Sequence, residues 1–313
     1  MTGCNWTQST LAPNGPNAAA IARLTWVMVI GGGLIFLATM AAAALAILAG
    51  DRWRQFLGSR GFVVASGIAF PIVTLTALLI YGLLTSQALR ADPAAQIRIE
   101  VIGERWWWRV NYLHPSGNVQ FASANEIRVP VGAEVEFVLK TADVIHSFWV
   151  PSLAGKLDMI PGRINAYSFR ADRPGIYRGQ CAEYCGEQHA LMAFYVVAEM
   201  PVDFERWRAG QLRPASVRAD PQVARGRDVF LANGCGACHV VRGTEASGAL
   251  GPDLTHVGGR LSLAAGTLPN SVGALAGWTA SAQHLKPENL MPSFSHLTGE
   301  ELRSVAAYLD SLK

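Results

Sequence analysis

Cys181-Ala182-Glu183-Tyr184-Cys185-Gly186-Glu187-Gln188-His189-Ala190-Leu191-Met192 decides how this chain is read. Two cysteines stand four apart, a histidine follows four on, and a methionine three beyond that. Three readings compete. A disulfide between Cys181 and Cys185 would make the histidine and methionine incidental. Zinc takes thiolate and imidazole but rarely a thioether. Copper suits thiolate, imidazole and thioether together, and the complete set favours copper.

Such a site needs a second imidazole. His146, in Asp143-Val144-Ile145-His146-Ser147-Phe148-Trp149, lies between two apolar strands. A histidine alone there is more often a satisfied core residue. The surroundings read as β. Ile97, Ile99 and Val101 alternate with polar residues, as do stretches near Val129, Val135 to Leu139, and Tyr167 to Phe169. Turn signals at 114–117, 131–132, 161–162 and 173–175 separate them, which predicts a β-sandwich or barrel. A helix over 201–210 closes the unit, with Pro201 in its first turn.

Further on, Gln211 to Ser216 reads as a linker, and Asp220-Pro221 as the start of a helix through Leu231. Cys235-Gly236-Ala237-Cys238-His239 follows. This is the spacing for covalent haem c attachment: two thioethers from Cys235 and Cys238, with the adjacent His239 under the iron. A redox dithiol or half a zinc ribbon is the plainer reading. No second cysteine pair completes a zinc site, and no thioredoxin-like βαβ pattern surrounds the motif. Met291, in Asn289-Leu290-Met291-Pro292, is the only methionine after Met200 and is expected as the sixth iron ligand. Its competitors are His256, His284 and His296; His256 reads as a surface loop residue. Histidine–methionine ligation raises the haem potential. Thr298 to Glu301 form a capping box before a final helix with Leu302, Val305, Ala306 and Leu309 on one face.

Upstream, Leu24 to Gly50 runs 27 residues without a charge and Gly61 to Leu89 runs 29. About 20 apolar residues cross a bilayer, so both are long enough. Pro71 should kink the second. Arg52, Arg54 and Arg60 lie between them and mark that loop as cytoplasmic, which puts both termini outside. Reading the first stretch as a cleaved signal peptide, with Ala41 to Ala44 as its cleavage region, would send the haem motif to the wrong side. Thr2-Gly3-Cys4 ends like a lipoprotein processing site with no apolar run ahead of it, so lipidation of Cys4 stays open.

The chain has 313 residues, 50% hydrophobic and 16% charged, which excludes disorder. Its net charge of +3 lies wholly within residues 1–89, and the remainder is balanced. Nucleic acid is therefore not an expected partner. The chain divides into an N-terminal outer segment (1–23), a two-helix transmembrane hairpin (24–90), a copper-binding β domain (91–210), a linker (211–219) and an all-α haem domain (220–313).

The stretches DVIHSFWVPSLAGKLDMIPGRIN and GQCAEYCGEQHALM resemble subunit II of the haem–copper cytochrome c oxidases. Gly103-Glu104-Arg105-Trp106-Trp107-Trp108, followed by Asn111-Tyr112, resembles that family's aromatic segment. The resemblance covers about residues 20–210. It implies a cupredoxin domain with a dinuclear copper A centre. Cys181 and Cys185 would bridge the coppers, and His146 and His189 would bind one each. Met192 and the Glu183 carbonyl would be weak ligands. The resemblance also implies a magnesium site at the subunit I interface using the Glu183 carboxylate. Trp106 would be the point where electrons come in, on an exposed face of the tryptophan triplet. Quinol-oxidising relatives lack the copper ligands. Residues 218–313 resemble a class I cytochrome c, with Gly251 to Leu254 and Trp278 like its haem-packing loops.

The implied function is electron transfer in a proton-pumping oxidase of the bacterial inner membrane, both soluble domains lying on the periplasmic face. Electrons would come from cytochrome c or a quinol–cytochrome c reductase complex. They would pass through haem c and copper A to subunit I, with the other oxidase subunits and membrane lipid as further partners. The alternatives are the electron-accepting subunit of a copper-A nitric oxide reductase and a free membrane-anchored carrier.

Overall fold

Residues 8–88, 95, 97–217 and 219–313 are described by a computed structural model. Cys4 and the end of the second apolar stretch at Leu89 lie outside them. Helix α1 (Pro16–Leu48) starts ahead of the charge-free run, and α4 (Phe70–Ala88) carries the second. The arginine loop is itself partly helical at α2 (Asp51–Leu57), and α3 (Arg60–Val64), which Ser59 caps by accepting from the Phe62 N–H, opens the second charge-free run. Between α3 and α4 the backbone widens into a π turn at Ala65–Ala69, just before Pro71. Proline has no N–H to give and crowds the preceding turn, and the π turn lies where the kink is expected. Helices α1 and α4 are apolar all round, yet their large side chains are exposed. A helix of that kind needs a bilayer or a partner to cover it.

The β domain is two five-stranded sheets. The first runs β3-β2-β1-β5-β8 and the second β4-β10-β9-β6-β7. The strands are β1 (Ile97–Glu104), β2 (Trp107–Leu113), β3 (Val119–Ala124), β4 (Glu126–Pro130), β5 (Val135–Thr141), β6 (His146–Trp149), β7 (Leu157–Met159), β8 (Asn165–Phe169), β9 (Gly175–Cys181) and β10 (Ala193–Glu199). β1 pairs parallel with β5, and β10 with β4; the other pairs are antiparallel. The inward alternation of Ile99, Val101, Trp108 and Val110 meets Phe148 and Phe194 from the opposite sheet. Trp108 lies edge-on to Phe148 and Phe194, with ring centres 5.8 and 5.0 Å away. Helix α5 (Pro201–Gln211) closes the unit and buries Phe204.

The C-terminal unit is built on α6 (Pro221–Ala232), α7 (Cys235–Cys238), α8 (Val272–Leu285) and α9 (Gly299–Ser311). A two-stranded ribbon, β11 (Ser262–Leu263) with β12 (Leu268–Pro269), interrupts the expected all-α pattern. Asp220 caps α6, and Thr298 with Glu301 forms the anticipated capping box of α9. Trp278 stands within α8, not in a loop.

Candidate functional site

Strand β9 ends at Cys181 and β10 begins at Ala193, so the twelve-residue motif is a loop anchored by neighbouring, paired strands. Its first and last members are tied directly: the Cys181 N–H donates to the Met192 carbonyl at 2.9 Å. A 3-10 turn, His189–Leu191, folds the histidine back over the cysteines. Strand β6 pairs with β9 and places His146 beside Cys181.

The structure brings the whole set together. The Sγ atoms of Cys181 and Cys185 are 3.8 Å apart. His146 Nδ1 lies 3.8 Å from Cys181 Sγ, and His189 Nδ1 lies 3.5 Å from Cys185 Sγ. Met192 Sδ is 3.8 Å from Cys185 Sγ, and the Glu183 carbonyl is 3.2 Å from Cys181 Sγ. Both cysteines are free thiols, so the disulfide reading does not hold. The donor chemistry fits copper: two bridging-distance thiolates, one imidazole on each side, and a thioether and a carbonyl as weak outer donors.

Burial and hydrogen bonds shift these groups in different directions. The hydrogen bond between the two thiols pulls the Cys181 pKa down, and the same contact, with burial, pushes that of Cys185 up. Burial disfavours a charged His146, but Asp143 and Cys181 outweigh it and raise its pKa. His146 Nε2 donates to Asp143 Oδ1 at 2.8 Å, which leaves Nδ1 facing the sulfurs. Asp143 is in turn held low: burial works against its charge, but His146 and the N–H groups of Val144 and Arg105 prevail.

Trp106 departs from expectation. It is only 5% exposed, not presented to solvent. Its indole packs over Gly186, its Nε1 donates to the Cys185 carbonyl at 3.0 Å, and its own carbonyl accepts from Lys286 at 2.7 Å. The haem-motif domain therefore reaches the residue that a separate carrier was expected to touch. The Glu183 carboxylate is half-exposed, 3.6 Å from Lys156.

In the C-terminal unit Cys235 and Cys238 sit on one helical turn and His239 leaves it in extended conformation. His239 Nδ1 donates to the Pro252 carbonyl at 2.8 Å, so Nε2 is the nitrogen offered to a metal. Burial lowers the His239 pKa and keeps the ring neutral, as a ligand must be. A Cβ on Gly251 would come within 2.5 Å of His239 Cε1, so the ring's seat requires glycine. These features fit haem c. Met291 is half-buried in the α8–α9 loop. Its N–H is held by Asn289 Oδ1 and its carbonyl by Gln283 Nε2, each at 2.8 Å. His256 is not a surface residue: it is 8% exposed, and Nε2 donates to the Arg213 carbonyl because the linker folds back over it.

Asp143 and Lys286 are the residues that sequence reading left without a role. A carboxylate three positions before a candidate ligand histidine was a usable signal for the first. Nothing local marks Lys286, which is 2% exposed and pushed down to about 7 by burial.

Residues 111–199 match the family described as Cytochrome C oxidase subunit II, periplasmic domain, and residues 223–313 match Cytochrome c. The chain is 38% identical over 217 residues to the cytochrome c oxidase subunit 2 of Alkalihalophilus pseudofirmus, covering 69% of this chain and 61% of that one. It is 31% identical over 264 residues to the subunit 2 of Bacillus sp. (strain PS3), covering 78% and 72%. With two Rickettsia relatives at 54% and 64%, the chain spans about three fifths of the length of several relatives. A solved relative is the periplasmic domain of subunit II of cytochrome oxidase from Bradyrhizobium japonicum. It is 31% identical, with a TM-score of 0.36, over 38% of this chain and 95% of that one.

Proposed function

The chain belongs to the cytochrome c oxidase subunit 2 family, and from that premise we propose that it is the electron-transfer subunit of a proton-pumping oxidase. It takes electrons from an external donor, cytochrome c or a quinol–cytochrome c reductase complex, and delivers them to subunit I, where dioxygen is reduced to water. The two apolar helices anchor it in the bacterial inner membrane among lipid and the other oxidase subunits, with both soluble domains on the periplasmic face.

Cys181, Cys185, His146, His189, Met192 and the Glu183 carbonyl hold a dinuclear copper A centre. Cys235 and Cys238 attach haem c, whose iron His239 and Met291 hold. When bound, these groups supply one-electron carriers. The chain's part is to hold its ligands still, so that little rearrangement accompanies each electron. The β9–β10 anchoring, the His146–Asp143 contact and the glycine seat of His239 all serve that end. Trp106, buried at the domain seam with its indole on the copper loop and its carbonyl on Lys286, would be the residue through which the haem side faces the copper ligands. The Glu183 carboxylate, half-exposed and paired with Lys156, would have to exchange that partner to take a magnesium ion at the subunit I face.

One observation carries the reading: six donors of the copper set converge around the buried Cys181–Cys185 pair, against a docked domain bearing the haem motif. The test is to purify the membrane complex and measure its copper, haem c and turnover. Copper and covalent haem in a complex that consumes dioxygen are expected. A complex that reduces nitric oxide instead, or a chain without copper, would overturn the proposal.

A further inference from the structure

The haem domain grips the copper loop on both sides of Met192. On one side, Lys286 Nζ donates to the Leu191 carbonyl at 2.8 Å. On the other, the Ala193 N–H donates to the Ala265 carbonyl at 3.0 Å. Lys286 also donates to the carbonyls of Trp106 at 2.7 Å and Ala264 at 3.2 Å, so its three N–H groups are all used, none on a carboxylate. The turn that presents these carbonyls is unusual. Ala264, Ala265 and Gly266 have φ of 52°, 59° and 76°, three left-handed residues in a row, two of them with a Cβ. Such a backbone persists only where its surroundings hold it. Here Thr267 Oγ1 donates to the Ala264 carbonyl, and Ala265 is fully buried. A Cβ on Gly266 would lie 3.1 Å from that of Ala193.

The residue between these two grips is the thioether donor. An axial thioether is a long, weak ligand whose position tunes a copper site's potential. Simple adhesion between domains could use any surface. This contact instead seizes the two peptide groups flanking one ligand.

We propose that Lys286 and the Ala264–Gly266 turn are positioning elements of the copper centre: the haem domain sets where Met192 stands, and so sets the copper potential. The inference rests on reading Cys181 to Met192 as the copper A loop. A domain that delivers electrons thereby also adjusts the acceptor it feeds, and an undocked haem domain leaves a differently poised copper site.

The test uses the full chain with Lys286→Met, Lys286→Arg and Gly266→Ala. In copper-free protein, amide hydrogen exchange is read over 189–193. In copper-loaded protein, the copper potential and its electron paramagnetic resonance spectrum are read beside the haem potential. Lys286→Met should speed exchange over 189–193 at least tenfold and shift the copper potential and spectrum, leaving the haem potential in place. Lys286→Arg should recover part of both changes. Gly266→Ala acts from the other side of Met192 without touching the lysine, and should shift the copper signals even if Lys286→Met does not fold. Unchanged exchange and unchanged copper signals in the folded variants overturn the proposal. Wild-type protein that takes up no copper overturns the functional reading instead, and the exchange measurement still judges the grip.

Discussion

His146 shows how one side chain is prepared for the ligand role proposed for it. A neutral imidazole has one N–H, and whichever nitrogen keeps it cannot bind metal. Asp143 accepts from Nε2, so Nδ1 is bare toward Cys181. Removing such an orienting carboxylate typically costs about 10–100-fold in metal affinity. Asp143→Asn should weaken copper binding by that order in a chelator competition, and wild-type affinity would show that the contact does not orient the ring. Cys185→Ser removes a donor rather than its support. Copper per chain should fall to background while the haem spectrum stays, because Cys235 and Cys238 lie outside the β domain's hydrophobic core. Retained copper would refute the shared-thiolate site. The motif spacing announced that Cys181, Cys185, His189 and Met192 would meet, since a short loop must bring its own residues together. The Asp143 contact was equally local, but a carboxylate near a histidine has many ordinary uses.

At the scale of elements, helices α6 and α9 cross at Gly226. A Cβ there would fall 1.9 Å from the Ser304 carbonyl and 2.8 Å from Tyr308 Cβ, so the helices must part to admit it. Overpacking of this kind costs about 1–3 kcal/mol. Gly226→Ala should lower the thermal midpoint of the haem domain accordingly, with the copper signals unmoved; an unchanged midpoint would mean that the crossing adjusts freely. The Met291 loop can be probed through its chemistry. Met291→His replaces a thioether that favours reduced iron with a nitrogen ligand, so the haem potential should fall while the covalent bonds persist. An unchanged potential and near-infrared band would assign the sixth position to another group. Helix ends and strand alternation were plain in the sequence because caps and periodicity are local. The β11–β12 ribbon was not, because two strands of two residues each have no period to detect.

At the scale of the molecule, the sequence was blind where distant segments meet. Trp106 was expected outside and lies buried over the copper loop, and Lys286, 180 positions later, comes to its carbonyl. Glu126 accepts the Leu261 N–H at 2.7 Å across 135 positions, and Arg109 donates to the Ala249 carbonyl at 3.0 Å across 140. No local pattern announces such contacts; they follow only once both units are folded. For topology the expectation is local, since it rests on charge alone. Arg52, Arg54 and Arg60 lie between two charge-free stretches, and short loops rich in arginine stay in the cytoplasm. Both soluble domains then lie outside, the side on which c-type haem is attached. A reporter active only in the cytoplasm should work when fused after Arg60 and fail after Lys313, and an exported reporter should do the reverse. The two assignments constrain each other. A cytoplasmic reporter active after Lys313 would remove the arginine rule and the covalent haem at Cys235 and Cys238 together, because no haem would be attached on that side.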